Sequence, residues 1–276
     1  MGLTQLTITA LFVCAALSLI MTLAWLAQQK SRNSGWVDVS WALGVGVTAV
    51  IAVLMPLEHG WLHWRQVAIA MIAACWSLRL GLHIARRTRA TTDDPRYRDL
   101  IKQWGVDAPR RMFWFLQSQA TVGALLSLSV ATAACNQNPI VRIQDMVGLV
   151  ILLIAIVGEA VADRQLAVFR ADPINRKSIC DVGLWAWSRH PNYFFEWLFW
   201  VAFPVVAIDL SGHNPYGWLS LAAPICMYWV LVYVSGIPPL EAHMRRSRGE
   251  AFREYQNRTS AFFPCPPALH AGKRLR

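Results

Sequence analysis

Apolar residues run along this chain in long, nearly uncharged blocks, and most charged residues gather between them. Seven blocks meet or approach the roughly 20 apolar residues that an α-helix needs to cross a bilayer. They lie near Thr4 to Ala27, Trp36 to Leu57, Gln66 to Ile84, Met112 to Ala134, Met146 to Phe169, Pro191 to Ile208 and Pro215 to Gly236. This pattern predicts an all-α, polytopic integral membrane helical bundle with seven transmembrane helices.

Composition supports the pattern. Of 276 residues, 55% are hydrophobic and only 15% charged, where a soluble enzyme carries about a quarter. The first block has no charge before Lys30, so it is expected to be a retained helix and not a cleaved leader. With the N-terminus outside and the C-terminus cytoplasmic, 23 of the 26 basic residues fall in inner loops, in the tail, or at Arg164 on the inner end of the fifth span; Arg65, Arg79 and Arg142 are the rest. The expected location is therefore a membrane, multi-pass, and the bacterial inner membrane if the source is prokaryotic. The net charge of +10 is carried next to the spans without an aromatic RNA-binding motif, so the partners expected are membrane lipids and not nucleic acid. No obligate protein partner is evident. The six cysteines form no CxxC pair, so neither a zinc site nor a disulfide framework is expected, and no metal is assigned. No internal repeat or pair of broken helices argues for transport.

Ionisable groups inside spans are costly, which makes each a functional candidate: Asp38, Arg79, His83, Glu159, Asp163 and Glu196. Glu159 and Asp163 share one face of the fifth span, and Arg170 extends that stripe two turns further. It serves equally as an ion-pair brace or as the polar wall of a ligand site. Asp38 and Arg79 sit near the inner ends of the second and third spans, where they can pair across the interface or act on a substrate. Gly44, Gly46 and Ala49 match a dinucleotide fingerprint only superficially; without a preceding strand, small-residue helix packing explains them better.

The densest signal runs from Asp181 to Trp200. Ser188 can cap a helix whose first turn holds Pro191, and helix starts of this kind attract anions. Arg189, with Arg176 and Lys177 upstream, adds positive charge. Beyond it, Asn192, Glu196 and Trp200 follow at a spacing of four and share a face suited to a flat, polar-edged ring. The tail from Glu241 and Arg245 through Phe252, Tyr255 and Arg258 is basic and amphipathic. It either docks on anionic lipid or closes over a cofactor.

Residues Glu159 to Pro264, with their Glu-x-x-x-Asp helix, Arg-His-Pro-Asn-Tyr-x-x-Glu start and final Phe-x-x-Tyr and Pro, resemble the C-terminal domain of the steroid 5α-reductase family, bacterial membrane branch. The resemblance implies an N-terminal part, 1–145, forming an apolar substrate pocket, and a C-terminal part, 146–276, binding NADPH from the cytoplasmic side. It places Glu159, Asp163, Arg170, Arg176, Lys177, Arg189, Asn192, Tyr193, Glu196, Trp200, Glu241 and Arg245 at the cofactor. Asp38, preceded by Val37, stands near the family's glutamine-glutamate pair, and Trp76 near its tyrosine. Asp38, Trp76 and Arg79 are thus the expected catalytic residues. The reaction implied is hydride transfer from NADPH to the β-carbon of an activated C=C bond in a steroid-like or other lipophilic enone entering from the bilayer. For this, burial of Asp38 among Trp36, Trp41 and Trp76 would have to keep it protonated. The Arg-His-Pro-x-Tyr start is also similar to that of the isoprenylcysteine carboxyl methyltransferases and their relatives, which implies S-adenosylmethionine as the alternative cofactor. A non-catalytic lipid-binding or scaffolding protein is the third reading.

Overall fold

The computed structural model describes residues 2–55, 63–90, 93–136, 138, 140–212 and 214–266, without the side chains of Pro95, Arg176 and Lys177. Among the described residues the fold is all-α, with no strand. Its helices are α1 (Leu3–Ser31), α2 (Gly35–Leu54), α3 (Trp64–Arg89), α4 (Pro95–Trp104), α5 (Ala108–Ala134), α6 (Ile143–Ala171), α7 (Pro191–Ala207), α8 (Ala222–Trp229), α9 (Ile237–Arg248) and α10 (Glu250–Arg258). Local chemistry sets many of the ends. Arg32 closes α1 in the left-handed region at φ 53°, its N–H donating to the Gln28 carbonyl. His63 and Gln66 form a capping box that opens α3. The Asp94 side chain caps α4, whose first position is Pro95. Asp172 and Pro173 start a short 3-10 turn directly after α6.

Five stretches are long and apolar enough to cross a membrane: α1, α2, α3, α6 and the run Gly217–Arg248, which continues from α8 through a π turn into α9. Two expected spans are not among them. α5 has the length, at 27 residues, but Gln117, Ser118, Gln119 and Thr121 reduce its hydropathy, and α7 has 17 residues. The second expected span was carried to Leu57, which lies outside the described residues; α2 ends at Leu54. Large apolar side chains stand exposed along the outer faces, among them Leu11, Leu19 and Leu23 of α1, Met71, Leu78 and Leu82 of α3, and Val150, Leu153, Ile154 and Val157 of α6. Water would penalise such faces, so the chain is a membrane protein.

The chain divides into two compact units, one of Met1–Asp145 with Phe203–Ala223 and one of Met146–Ala202 with Pro224–Arg276. In the first, α2 packs closely on α3 and on α1 and α5. A Cβ on Gly46 would lie 2.1 Å from Ser77, so this glycine serves close helix approach, as the small-residue reading expected. Polar side chains here meet one another. Thr48 and Ser127 lie 3.1 Å apart, Ser18 donates to Gln117 at 2.8 Å, and the Trp41 indole donates to the Gln119 carbonyl at 2.9 Å. Arg65, expected as an outlying charge, is 1% exposed and ion-paired to Asp145 at 2.5 Å.

In the second unit Phe194, Trp197, Tyr228, Phe262 and Phe263 form an aromatic cluster around the buried Phe262. Gly158 of α6 lies against the Phe195 ring, 2.3 Å from where a Cβ would stand. The Trp185 indole donates to the Ala162 carbonyl at 2.9 Å, fastening the loop after α6 onto that helix.

Candidate functional site

Within the second unit, the tail is stitched onto the loop that leads into α7. Tyr255 donates to the Trp185 carbonyl at 2.5 Å, Ser188 donates to the Phe262 carbonyl at 2.9 Å, and the Arg189 N–H donates to the Ser260 carbonyl at 2.8 Å. Phe252 and Tyr255 are buried, so one face of α10 packs on protein while Arg253 points outward.

Glu241 of α9 sits at the centre of this join. Its Oε1 accepts from Arg189 Nε at 2.8 Å and lies 3.1 Å from His190 Nε2, while its Oε2 accepts from Gln256 at 2.6 Å. Arg189 also donates to the Gln256 and Thr259 carbonyls. Arg189 and Glu241, both expected at the cofactor, thus meet each other in the fold. Both brace the start of α7 against the tail, the half-buried guanidinium being shared among one carboxylate and two backbone carbonyls. Neither His190 nor Gln256 was anticipated, because their link to Glu241 is made only by the fold.

Burial pushes His190 below its ordinary value of 6.5, with the Glu241 carboxylate pulling it part of the way back. The imidazole is therefore neutral in the folded protein and donates Nε2–H to Glu241; its ring stacks on Tyr193 at 5.5 Å. A folded value below the unfolded one stabilises the protein fully above about 6.5, and that contribution is lost as pH falls through the folded value. The melting temperature is expected to drop between pH 7 and pH 5, and His190→Gln should flatten that drop; a variant with the wild-type slope would assign the pH dependence elsewhere.

Other expected residues cluster differently. Asn192 Nδ2 of α7 donates to Asp163 Oδ1 of α6 at 3.4 Å, a long contact, with both residues half-buried. Glu159, one turn before Asp163, is buried. Glu196 accepts from the Trp200 indole at 2.9 Å, within α7. Trp200, expected to offer a face to a flat ring, is 1% exposed. Arg170, near the end of α6, and Arg245, one turn beyond Glu241, are exposed. The side chains of Arg176 and Lys177 lie outside the described residues.

The first unit gathers a separate polar cluster. Asp38, in the first turn of α2, accepts from the Tyr97 hydroxyl at 2.5 Å and from Arg96 Nη2 at 2.6 Å. Arg96 lies between this carboxylate and that of Asp94, which it meets at 3.0 Å, and Gln119 donates to the Tyr97 oxygen at 3.2 Å. The partner of Asp38 is thus Arg96 and not Arg79. Tyr97 is 3% exposed. Burial first, and the Asp38 charge second, hold its phenol well above the usual range, so it keeps its proton. Trp76 is buried on α3, Arg79 follows three residues later and is half-buried, and His83 is exposed. Sequence spacing did not single out Arg96 or Tyr97.

Among known proteins, an uncharacterised protein of Schizosaccharomyces pombe is 22% identical over 276 residues, covering 89% of this chain and 77% of that protein. No solved structure matches the chain. The family model DUF1295, described as a protein of unknown function, matches residues 24–259, and the chain belongs to that family.

Proposed function

We propose that this protein is an integral membrane, NADPH-dependent reductase of an activated C=C bond in a lipophilic enone, of the steroid 5α-reductase type. The observation that carries the reading is the Asp163–Asn192 contact. It joins the Glu-x-x-x-Asp helix to the Arg-His-Pro-Asn-Tyr start, so the two halves of the motif on which the resemblance rests converge at one place in one unit.

NADPH demands cations for its phosphates and hydrogen-bonding groups for its ribose and amide. The second unit offers exposed guanidinium groups at Arg170 and Arg245 and half-buried Asp163, Asn192 and Tyr193, a set that fits. When bound, NADPH supplies the hydride.

In the first unit, Tyr97 is the group suited to an enone oxygen. Its retained proton donates to the oxygen as negative charge develops there. Arg96 keeps the Asp38 carboxylate partnered while the phenol turns from it to the substrate. Asp38 is then a positioning residue.

The reading includes seven passes, with α5 and α7 added to the five apolar stretches, and a cytoplasmic C-terminus. Support comes from the basic inner loops and from α5, whose Gln117 and Ser127 are matched inside the first unit, which removes the cost of placing them in a bilayer.

Calorimetry on purified variants tests the site. Asn192→Ala should weaken NADPH about tenfold, the loss of roughly one hydrogen bond to a polar ligand. Arg170→Ala should weaken NADPH more than NADH if its guanidinium meets the 2′-phosphate. Equal losses for the two nucleotides would reject that assignment. S-adenosylmethionine binding in place of NADPH would move the reading to a membrane methyltransferase.

A further inference from the structure

The corner where α4 leads into α5 holds a cavity of about 430 Å³ lined by Trp104, Asp107, Arg110, Arg111 and Trp114. It lies wholly in the first unit. Elsewhere in that unit, Arg65, Arg96 and Arg142 are ion-paired to aspartates. Here Trp104 and Trp114 meet the rings of Phe115 and Phe113, but the polar groups differ from those arginines. Among the described residues, neither the guanidinium groups of Arg110 and Arg111, nor the Asp107 carboxylate, nor the indole N–H groups of Trp104 and Trp114 make a hydrogen bond or ion pair. Both arginines, Asp107 and Trp114 are exposed.

We propose that this cavity binds the headgroup of a phosphoethanolamine lipid. The donor set is matched to that chemistry group by group. Two adjacent guanidinium groups suit a phosphodiester. A single carboxylate in the same cavity repels a purely anionic headgroup but accepts the N–H bonds of a primary ammonium, so the net match is to a zwitterion carrying both. Indoles prefer the zone between hydrocarbon and water, and Trp104 and Trp114 flank the cavity with apolar rings and unpartnered N–H donors. The volume falls within the range of small-ligand sites, on the order of 300–1,000 Å³. The occupant is a lipid because the cavity opens beside a helix read as lying in the bilayer, where the acyl chains have apolar surroundings. This inference rests on the membrane reading of α5 and is independent of the reductase chemistry.

The test uses the delipidated full-length protein in detergent, with native mass spectrometry counting retained lipids of identical acyl chains. Wild type should retain phosphatidylethanolamine about tenfold better than phosphatidylglycerol, the worth of one charge-assisted hydrogen bond. Asp107→Asn should abolish that preference while keeping phosphatidylglycerol. Arg110→Gln together with Arg111→Gln should weaken both lipids. These side chains are exposed, so the variants should melt as wild type does. The proposal is overturned if wild type prefers phosphatidylglycerol or if Asp107→Asn leaves the preference unchanged. It is likewise overturned if soluble glycerophosphoethanolamine displaces the lipid at equal concentration, which would make the headgroup alone sufficient.

Discussion

Glu241→Ala is expected to destabilise the protein by about 3 kcal/mol, the low end for breaking a buried ion pair, because it leaves the half-buried Arg189 guanidinium without its counter-charge. Three donors converge on this carboxylate, which is 5% exposed. With it gone, Arg189 keeps only backbone carbonyls, His190 loses its acceptor, and Gln256 no longer ties α10 to α9. The loss should appear as a lower melting temperature and as faster proteolysis of the tail after α9. Replacing both partners with apolar residues, Arg189→Met with Glu241→Leu, should recover much of the loss, since it removes the uncompensated charge along with the pair. If the single variant melts as wild type does, the knot is not structural, and Arg189 returns as a ligand for phosphate.

Tyr97→Phe carries the other large effect. Removing one donor from a developing oxyanion costs about 10²–10³ in turnover where such a donor acts in catalysis. Phenylalanine retains the ring and its edge contact with Phe115 at 6.1 Å, so the packing of α4 on α5 should survive. The expected result is a collapse of enone reduction with NADPH affinity unchanged. A purely structural Tyr97 would instead lower the melting temperature and leave the rate per folded molecule intact. Asp38→Asn separates the roles further. Because Asp38 positions and does not donate, that variant should reduce turnover less than Tyr97→Phe does.

Length and apolarity in the sequence sufficed for the five stretches able to cross a membrane, because lipid-facing segments announce themselves that way, but not for α4. Pro191 fixed a helix start through local chemistry that needs no tertiary partner. Gly46 was readable as a packing position because a glycine pattern on a spanning helix has few other uses. The candidate sites were legible only where their residues share a helix face, as Glu159 and Asp163 do. Asp38 meets Tyr97 across 59 residues, Glu241 meets Arg189 across 52, and Arg65 meets Asp145 across 80. In each case the charged side chain looked like a ligand or a loop residue until the fold supplied its partner. The polar residues of α5 act in the opposite direction to its apolar ones. They lower its hydropathy, but several face other helices of the same unit.

The account turns on whether the second unit holds a dinucleotide, and calorimetric titration of the purified wild-type protein with NADPH measures that directly. Saturable binding of one NADPH per chain, weakened by Asn192→Ala, is the predicted result. A flat titration with NADPH, or saturable binding of S-adenosylmethionine in its place, would contradict it.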